Sequence, residues 1–121
     1  MINRRNASRL LCAFWPSDCR MPRFEIMAAI ADVDRKLSTE SGQYDSLGDT
    51  RQAVLVVISM QGGGELVDVI KHETDPAKVA KLIKADKWAK RKANRKAAPA
   101  LACQYENDKP CSNAKGCSCN G

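Results

Sequence analysis

The fold of this chain depends first on how the unbroken apolar run from Ala53 to Ile58 is buried. β-Branched side chains dominate this run, and such residues suit a buried strand. No other segment offers a convincing partner strand, however, and a strand without a partner has no hydrogen-bond ladder. Asp49 or Thr50 can instead cap a helix that continues through Met60. The run therefore predicts a buried helix, and a strand that pairs between chains is the alternative.

Two further segments carry clear helix signals. Pro22 suits the first turn of a helix whose apolar residues form two adjacent stripes. Asp75 and Pro76 are a favourable N-cap and first-turn residue, and they predict a long helix that ends near Ala98. The glycines at 62–64 indicate a hinge or a helix end rather than a phosphate-binding loop, because no Lys-Ser or Lys-Thr pair follows them.

These signals together predict a mainly α protein. The expected fold is a small single-domain bundle of three to four helices with an irregular cysteine-rich C-terminal tail. An α+β fold with one buried strand at 53–58 is the alternative. A length of 121 residues suits one domain. Within it we expect a basic N-terminal arm at 1–21, a helical domain at 22–98 and the tail at 99–121.

Positive charge is concentrated in the predicted C-terminal helix. The chain has a formal net charge of +6, and nine lysines and arginines lie between Lys78 and Lys96 against one acid, Asp86. Like charges at this density oppose folding of the helix, and Asp86 offers few opportunities for stabilising intrahelical pairs. The pattern predicts an anionic partner, which is a nucleic acid, an anionic membrane surface or an acidic protein face.

A tryptophan lies in the middle of this charge. On a continuous helix Trp88 falls nearly opposite Val79, which belongs to the apolar stripe. It would then pack on another element, lie exposed or belong to an interface. In a functional surface the cations would contact phosphates or carboxylates while the indole stacks on a base or fills a pocket. The alternative is a solvated helix whose lysine stems shield the ring. The predicted anion-binding residues are Lys81, Lys84, Trp88, Arg91, Lys92 and Arg95.

The tail contains four of the six cysteines and little apolar content, so burial alone cannot hold it together. Disulfides within or between chains are one answer, and a zinc site is another. The spacing lacks the paired Cys-x-x-Cys motifs of a typical zinc site, and free thiols are a third possibility. Cys12 and Cys19 would supply an additional disulfide. The predicted cross-link or metal residues of the tail are Cys103, Cys111, Cys117 and Cys119.

Catalytic groups are sparse. The chain has one histidine, His72, and no local pattern marks a nucleophile or an acid–base pair, so we expect no enzymatic activity and no cofactor other than the alternative zinc. No apolar run approaches the ~20 residues of a membrane-spanning helix. The N-terminus does not resemble a signal peptide, which predicts a protein that is cytoplasmic when made.

The function expected from these features is that of a non-enzymatic assembly or docking protein. It would present the cationic helix to an anionic partner, be held by a cross-linked tail and form part of an oligomer or a particle such as a virion. Its partner would be another protein or neighbouring subunits, with nucleic acid as a further partner. A nucleic-acid-binding regulator with a zinc-stabilised tail is the first alternative. A small inhibitor of one host protein, anchored by Trp88, is the second.

Overall fold

The computed structural model describes residues 4–109, and this part of the chain is built from helices without strands. Seven α-helices follow one another: α1 (Arg4–Phe14), α2 (Arg23–Thr39), α3 (Asp49–Met60), α4 (Gly64–Ile70), α5 (Pro76–Ala85), α6 (Lys87–Lys90) and α7 (Ala97–Asn107). Three short 3-10 helices lie between them: Pro16–Arg20, Tyr44–Ser46 and Lys92–Asn94. The expected mainly α fold is confirmed. The helices are shorter and more numerous than the three to four that were predicted.

The apolar run at 53–58 lies in α3, the central helix. Every side chain from Gln52 to Ile58 is buried, because α1, α2, α4 and α7 all pack around this helix. A helix that is apolar on all sides belongs in the middle of a core. The prediction of a buried helix is therefore confirmed, and the alternative of a strand at 53–58 is wrong.

The N-terminal residues are part of the core rather than a separate arm. Leu10, Leu11 and Trp15 are buried in the same apolar cluster as α3. Cys12 and Cys19 are joined by a disulfide with their Cα atoms 5.1 Å apart, which closes the turn after α1. The interpretation of 1–21 as a basic arm is corrected for residues 4–21, because the apolar face of α1 needs the core to cover it.

The prediction of one continuous helix from Pro76 to Ala98 is wrong. The helix begins at Pro76 as expected, with Asp75 Oδ1 accepting a hydrogen bond of 3.0 Å from the backbone N–H of Ala77. It ends at Ala85 because Asp86 adopts an extended backbone with ψ at 152°. Arg91 is also extended, with ψ at 139°, so α5, α6 and the following 3-10 helix are three separate short pieces.

The chain remains helical beyond the predicted boundary at residue 98. Pro99 lies in the first turn of α7, where a proline costs little because its missing N–H has no helical partner there. The irregular tail predicted from residue 99 is thus helical as far as Asn107, and Cys103 is buried within α7. Predictions for Cys111, Cys117 and Cys119 lie outside the described residues.

Candidate anion-binding surface

The cations between residues 78 and 96, here called the cationic segment, are distributed over α5, α6 and the stretch that leads to α7. Three of them lie on α5 at three-residue intervals, two lie on α6, and the others lie between α6 and α7. All nine side chains are exposed: Lys78, Lys81, Lys84, Lys87, Lys90, Arg91, Lys92, Arg95 and Lys96. Five of the six residues predicted to bind an anion are among them.

Few carboxylates neutralise this segment. Within residues 4–109 its one ion pair joins Lys87 Nζ to Glu65 Oε2 at 3.8 Å, and both side chains are largely exposed. Arg95 donates from Nε to the Lys90 carbonyl at 3.2 Å, a contact that orients the guanidinium without neutralising it. Exposed ion pairs contribute ~0–1 kcal/mol, so even Lys87 remains available to another anion. The segment therefore carries positive charge that the described part of the protein leaves largely uncompensated.

Trp88 is buried and does not lie exposed among these cations, so it packs on another element, which is one of the three placements that the sequence left open. Its position does not support the prediction that it binds an anion. The residue is 1% exposed, and its Nε1 donates a hydrogen bond of 3.1 Å to the carbonyl of Gln61. Its ring lies 6.3 Å from that of Trp15, between ring centroids, inside the core. The wheel that placed Trp88 opposite Val79 assumed a continuous helix. The break at Asp86 reorients the chain, so both residues face the core.

A buried asparagine fixes the cationic segment to the N-terminal part of the fold. Asn94 is 3% exposed, and its Oδ1 accepts a hydrogen bond of 3.1 Å from Trp15 Nε1. Its Nδ2 donates at 2.9 Å to the carbonyl of Trp88. Two buried hydrogen bonds of this kind define a single arrangement, since leaving either buried group unpaired costs about 1–3 kcal/mol. The exposed cations on both sides of Asn94 thus project from a fixed backbone.

An aromatic ring does lie beside the cations, and it is Phe14. This half-buried residue ends α1 and packs edge-on against Trp15, with ring centroids 6.1 Å apart. It borders a depression of about 640 Å³, here called the Phe14 depression. The depression is lined by Phe14, Lys92, Ala93, Arg95 and Lys96. Sequence reasoning missed Phe14 because no local pattern relates α1 to a segment almost eighty residues later.

The predicted zinc site is only partly represented in the described chain. Residues 4–109 contain no group of three or more side chains that could hold a metal ion, and Cys103 is the single member of the predicted ligand set among them. None of the cysteines in this range is a free thiol.

No helix within residues 4–109 is both long enough and apolar enough to cross a membrane.

Comparison with known protein families, with curated proteins and with solved structures gives no match to this chain.

Proposed function

We propose that this chain is a non-enzymatic docking protein that binds the phosphate backbone of a nucleic acid through its cationic segment. One observation carries the proposal: eight of the nine exposed cations at 78–96 have no carboxylate partner within residues 4–109. Such a protein would hold a nucleic acid in an assembly, which is the docking role expected from the sequence. Each cation that meets a phosphate also releases a condensed counterion, and this release favours binding.

The spacing of the charges supports a polymeric partner over a single small anion. Lys78, Lys81 and Lys84 share one side of α5, because residues three apart on a helix are neighbours. The remaining cations follow in α6 and in the stretch up to Lys96, so the charge is spread over several elements of the chain. A phosphate backbone likewise carries its charges at many positions.

The alternative of an inhibitor anchored by Trp88 loses its main support. A tryptophan anchor must enter a pocket of the partner, and an indole that is 1% exposed cannot do so without unfolding part of the core. An acidic protein face would still be attracted by the same cations. It would bind with a weaker salt dependence, because it lacks the condensed counterions of a nucleic acid.

The proposal is tested by fluorescence anisotropy with labelled DNA at about 50 to 200 mM salt. We expect the dissociation constant to rise steeply with salt. Replacing Lys81, Lys84 and Lys90 by glutamine should weaken binding and flatten the logarithmic salt slope by up to about 2 on single strands, at ~0.7 per phosphate contact.

A matched control removes the same charge elsewhere. Arg20, Arg23 and Lys36 are exposed cations outside the cationic segment, and their triple glutamine variant has the same net charge as the first. It should retain nearly all of the affinity. Equal losses in the two triple variants would show that only overall charge matters. Absence of binding to both single-stranded and duplex DNA at low salt would refute the proposal.

A further inference from the structure

We infer that the Phe14 depression holds an unpaired base, and that the nucleic acid bound by the cationic segment is therefore single-stranded. This inference rests on the proposed function and specifies its substrate class. The depression places a half-buried aromatic ring next to three exposed cations. Proteins that bind single strands combine these two elements, an aromatic side chain on which a base stacks and basic residues that follow the backbone.

The ring is held in position by the fold. Trp15, the next residue, is buried and donates to Asn94, while the Cys12–Cys19 disulfide encloses this turn of the chain. Asn94 lies between Lys92 and Arg95, so the same hydrogen bond holds the backbone that carries these cations against the turn that carries the ring. A site that is arranged before binding spends less free energy on ordering side chains when the ligand arrives.

The size and composition of the depression suit a base with its phosphates. Its volume of about 640 Å³ lies in the range of roughly 300–1,000 Å³ that is usual for small-molecule sites. Phe14 and Ala93 supply apolar surface, and Lys92, Arg95 and Lys96 supply positive charge at the border. A purely apolar ligand would make no favourable interaction with this charge, and an inorganic anion would make none with the ring.

The ring also explains why a single strand is favoured over a duplex. Bases in a duplex are paired and stacked on their neighbours. An aromatic side chain on the protein surface can therefore reach their faces only if the bases are first unstacked, which costs free energy. In a single strand the base faces are accessible. Duplex DNA can still contact the cations, but it gains nothing from Phe14.

The test compares three labelled ligands with the full chain: an oligothymidylate of about 12 nucleotides, an abasic strand of the same length and charge, and a duplex of that length. The abasic strand should bind at least about fivefold more weakly than the oligothymidylate, since stacking one base on an aromatic ring accounts for at least that factor, and the duplex should also bind more weakly. This comparison uses the native protein and does not depend on any variant.

Amino-acid substitutions then test whether the base stacks at Phe14. Phe14→Leu keeps an apolar side chain but removes the aromatic face, and it should lower the affinity for oligothymidylate by about fivefold while leaving the abasic strand unaffected. Phe24→Leu is the matched control, because Phe24 is 73% exposed and does not line the depression. Ala93→Glu changes an exposed residue of the depression, needs no core rearrangement and should weaken both single strands.

The possible failures are distinct. If oligothymidylate and the abasic strand bind equally well, with the expected salt dependence, the inference of a base site is wrong and the proposed function stands. If Phe14→Leu folds and binds oligothymidylate like the native protein, the site is not at Phe14. If none of the three ligands binds at low salt, the proposed function fails and the inference fails with it.

Discussion

Gly63 is the residue that lets the chain pass close to Ile58 near the end of α3 and to the buried Trp88. A Cβ atom at this position would lie 2.8 Å from the carbonyl oxygen of Ile58 and 3.1 Å from Trp88 Cδ1. The first of these neighbours is backbone and cannot move aside easily. Among the three consecutive glycines, only Gly62 has a positive φ, at 84°, which suits the residue after a helix end. The glycine run is therefore explained by a helix end and by close packing, in agreement with the interpretation from sequence.

We expect Gly63→Ala to lower the free energy of unfolding by about 1–3 kcal/mol, because the added methyl overpacks the contact between α3 and α6. Gly64→Ala is the control, since a Cβ there meets nothing within 4 Å and the residue begins α4. That change should be neutral or stabilise by up to about 1 kcal/mol. Urea unfolding followed by tryptophan fluorescence measures both. Equal stability of the two variants would contradict the packing argument.

At the scale of the helices, Asp86 decides how the cationic segment is built. Its Oδ2 accepts a hydrogen bond of 2.9 Å from the backbone N–H of Trp88, and its own backbone is extended. It therefore ends α5 and caps α6 at once. Without that interruption a continuous helix would turn Trp88 away from the core while Val79 faced it.

We expect Asp86→Ala to destabilise the protein by about 0.5–2 kcal/mol through loss of the cap. Asp86→Asn is the matched control, because asparagine is about as good an N-cap but carries no charge. Thermal unfolding followed by circular dichroism separates the two explanations. If the alanine and asparagine variants are equally destabilised, the negative charge among the lysines matters more than the cap.

The molecule as a whole contains a buried phenol whose ionisation is linked to folding. Tyr44 is 2% exposed and donates a hydrogen bond of 2.5 Å to Asp34 Oδ1. Burial first, and then the hydrogen bond to Asp34, raise the pKa of Tyr44 well above its usual range. The pKa of the Lys71 ammonium group is also raised, chiefly by its hydrogen bond to Glu40.

These shifts predict a loss of stability in alkaline solution. A raised pKa means that the folded protein holds its proton more tightly than the unfolded chain, so the stabilisation is complete below the unfolded value of about 10 and declines above it. Each such group should lower the free energy of unfolding by up to about 1.4 kcal/mol per pH unit. Tyr44→Phe should give a shallower decline between about pH 10 and 11 in urea titrations. An unchanged slope in that variant would exclude Tyr44 as a contributor.

Local sequence patterns were sufficient for the helical class, the buried helix at 53–58, the helix start at Pro76 and the density of charge at 78–96. Each of these depends on neighbouring residues: a cap, a proline in a first turn, an apolar run or a row of lysines. The same patterns failed where one residue changes the geometry of all that follows. The extended backbone at Asp86 is such a case: Trp88 lies in the core, whereas the wheel of a continuous helix placed it opposite the apolar stripe.

What only the tertiary structure decided is which aromatic ring accompanies the cations. Phe14 reaches them because Trp15 and Asn94, separated by 79 positions in the chain, share a buried hydrogen bond. A helical wheel relates residues within one helix and contains no information about such contacts. The amino-acid sequence by itself thus determined the helical class and the charge, because both depend on local composition. The composition of the candidate site was decided by packing between distant helices.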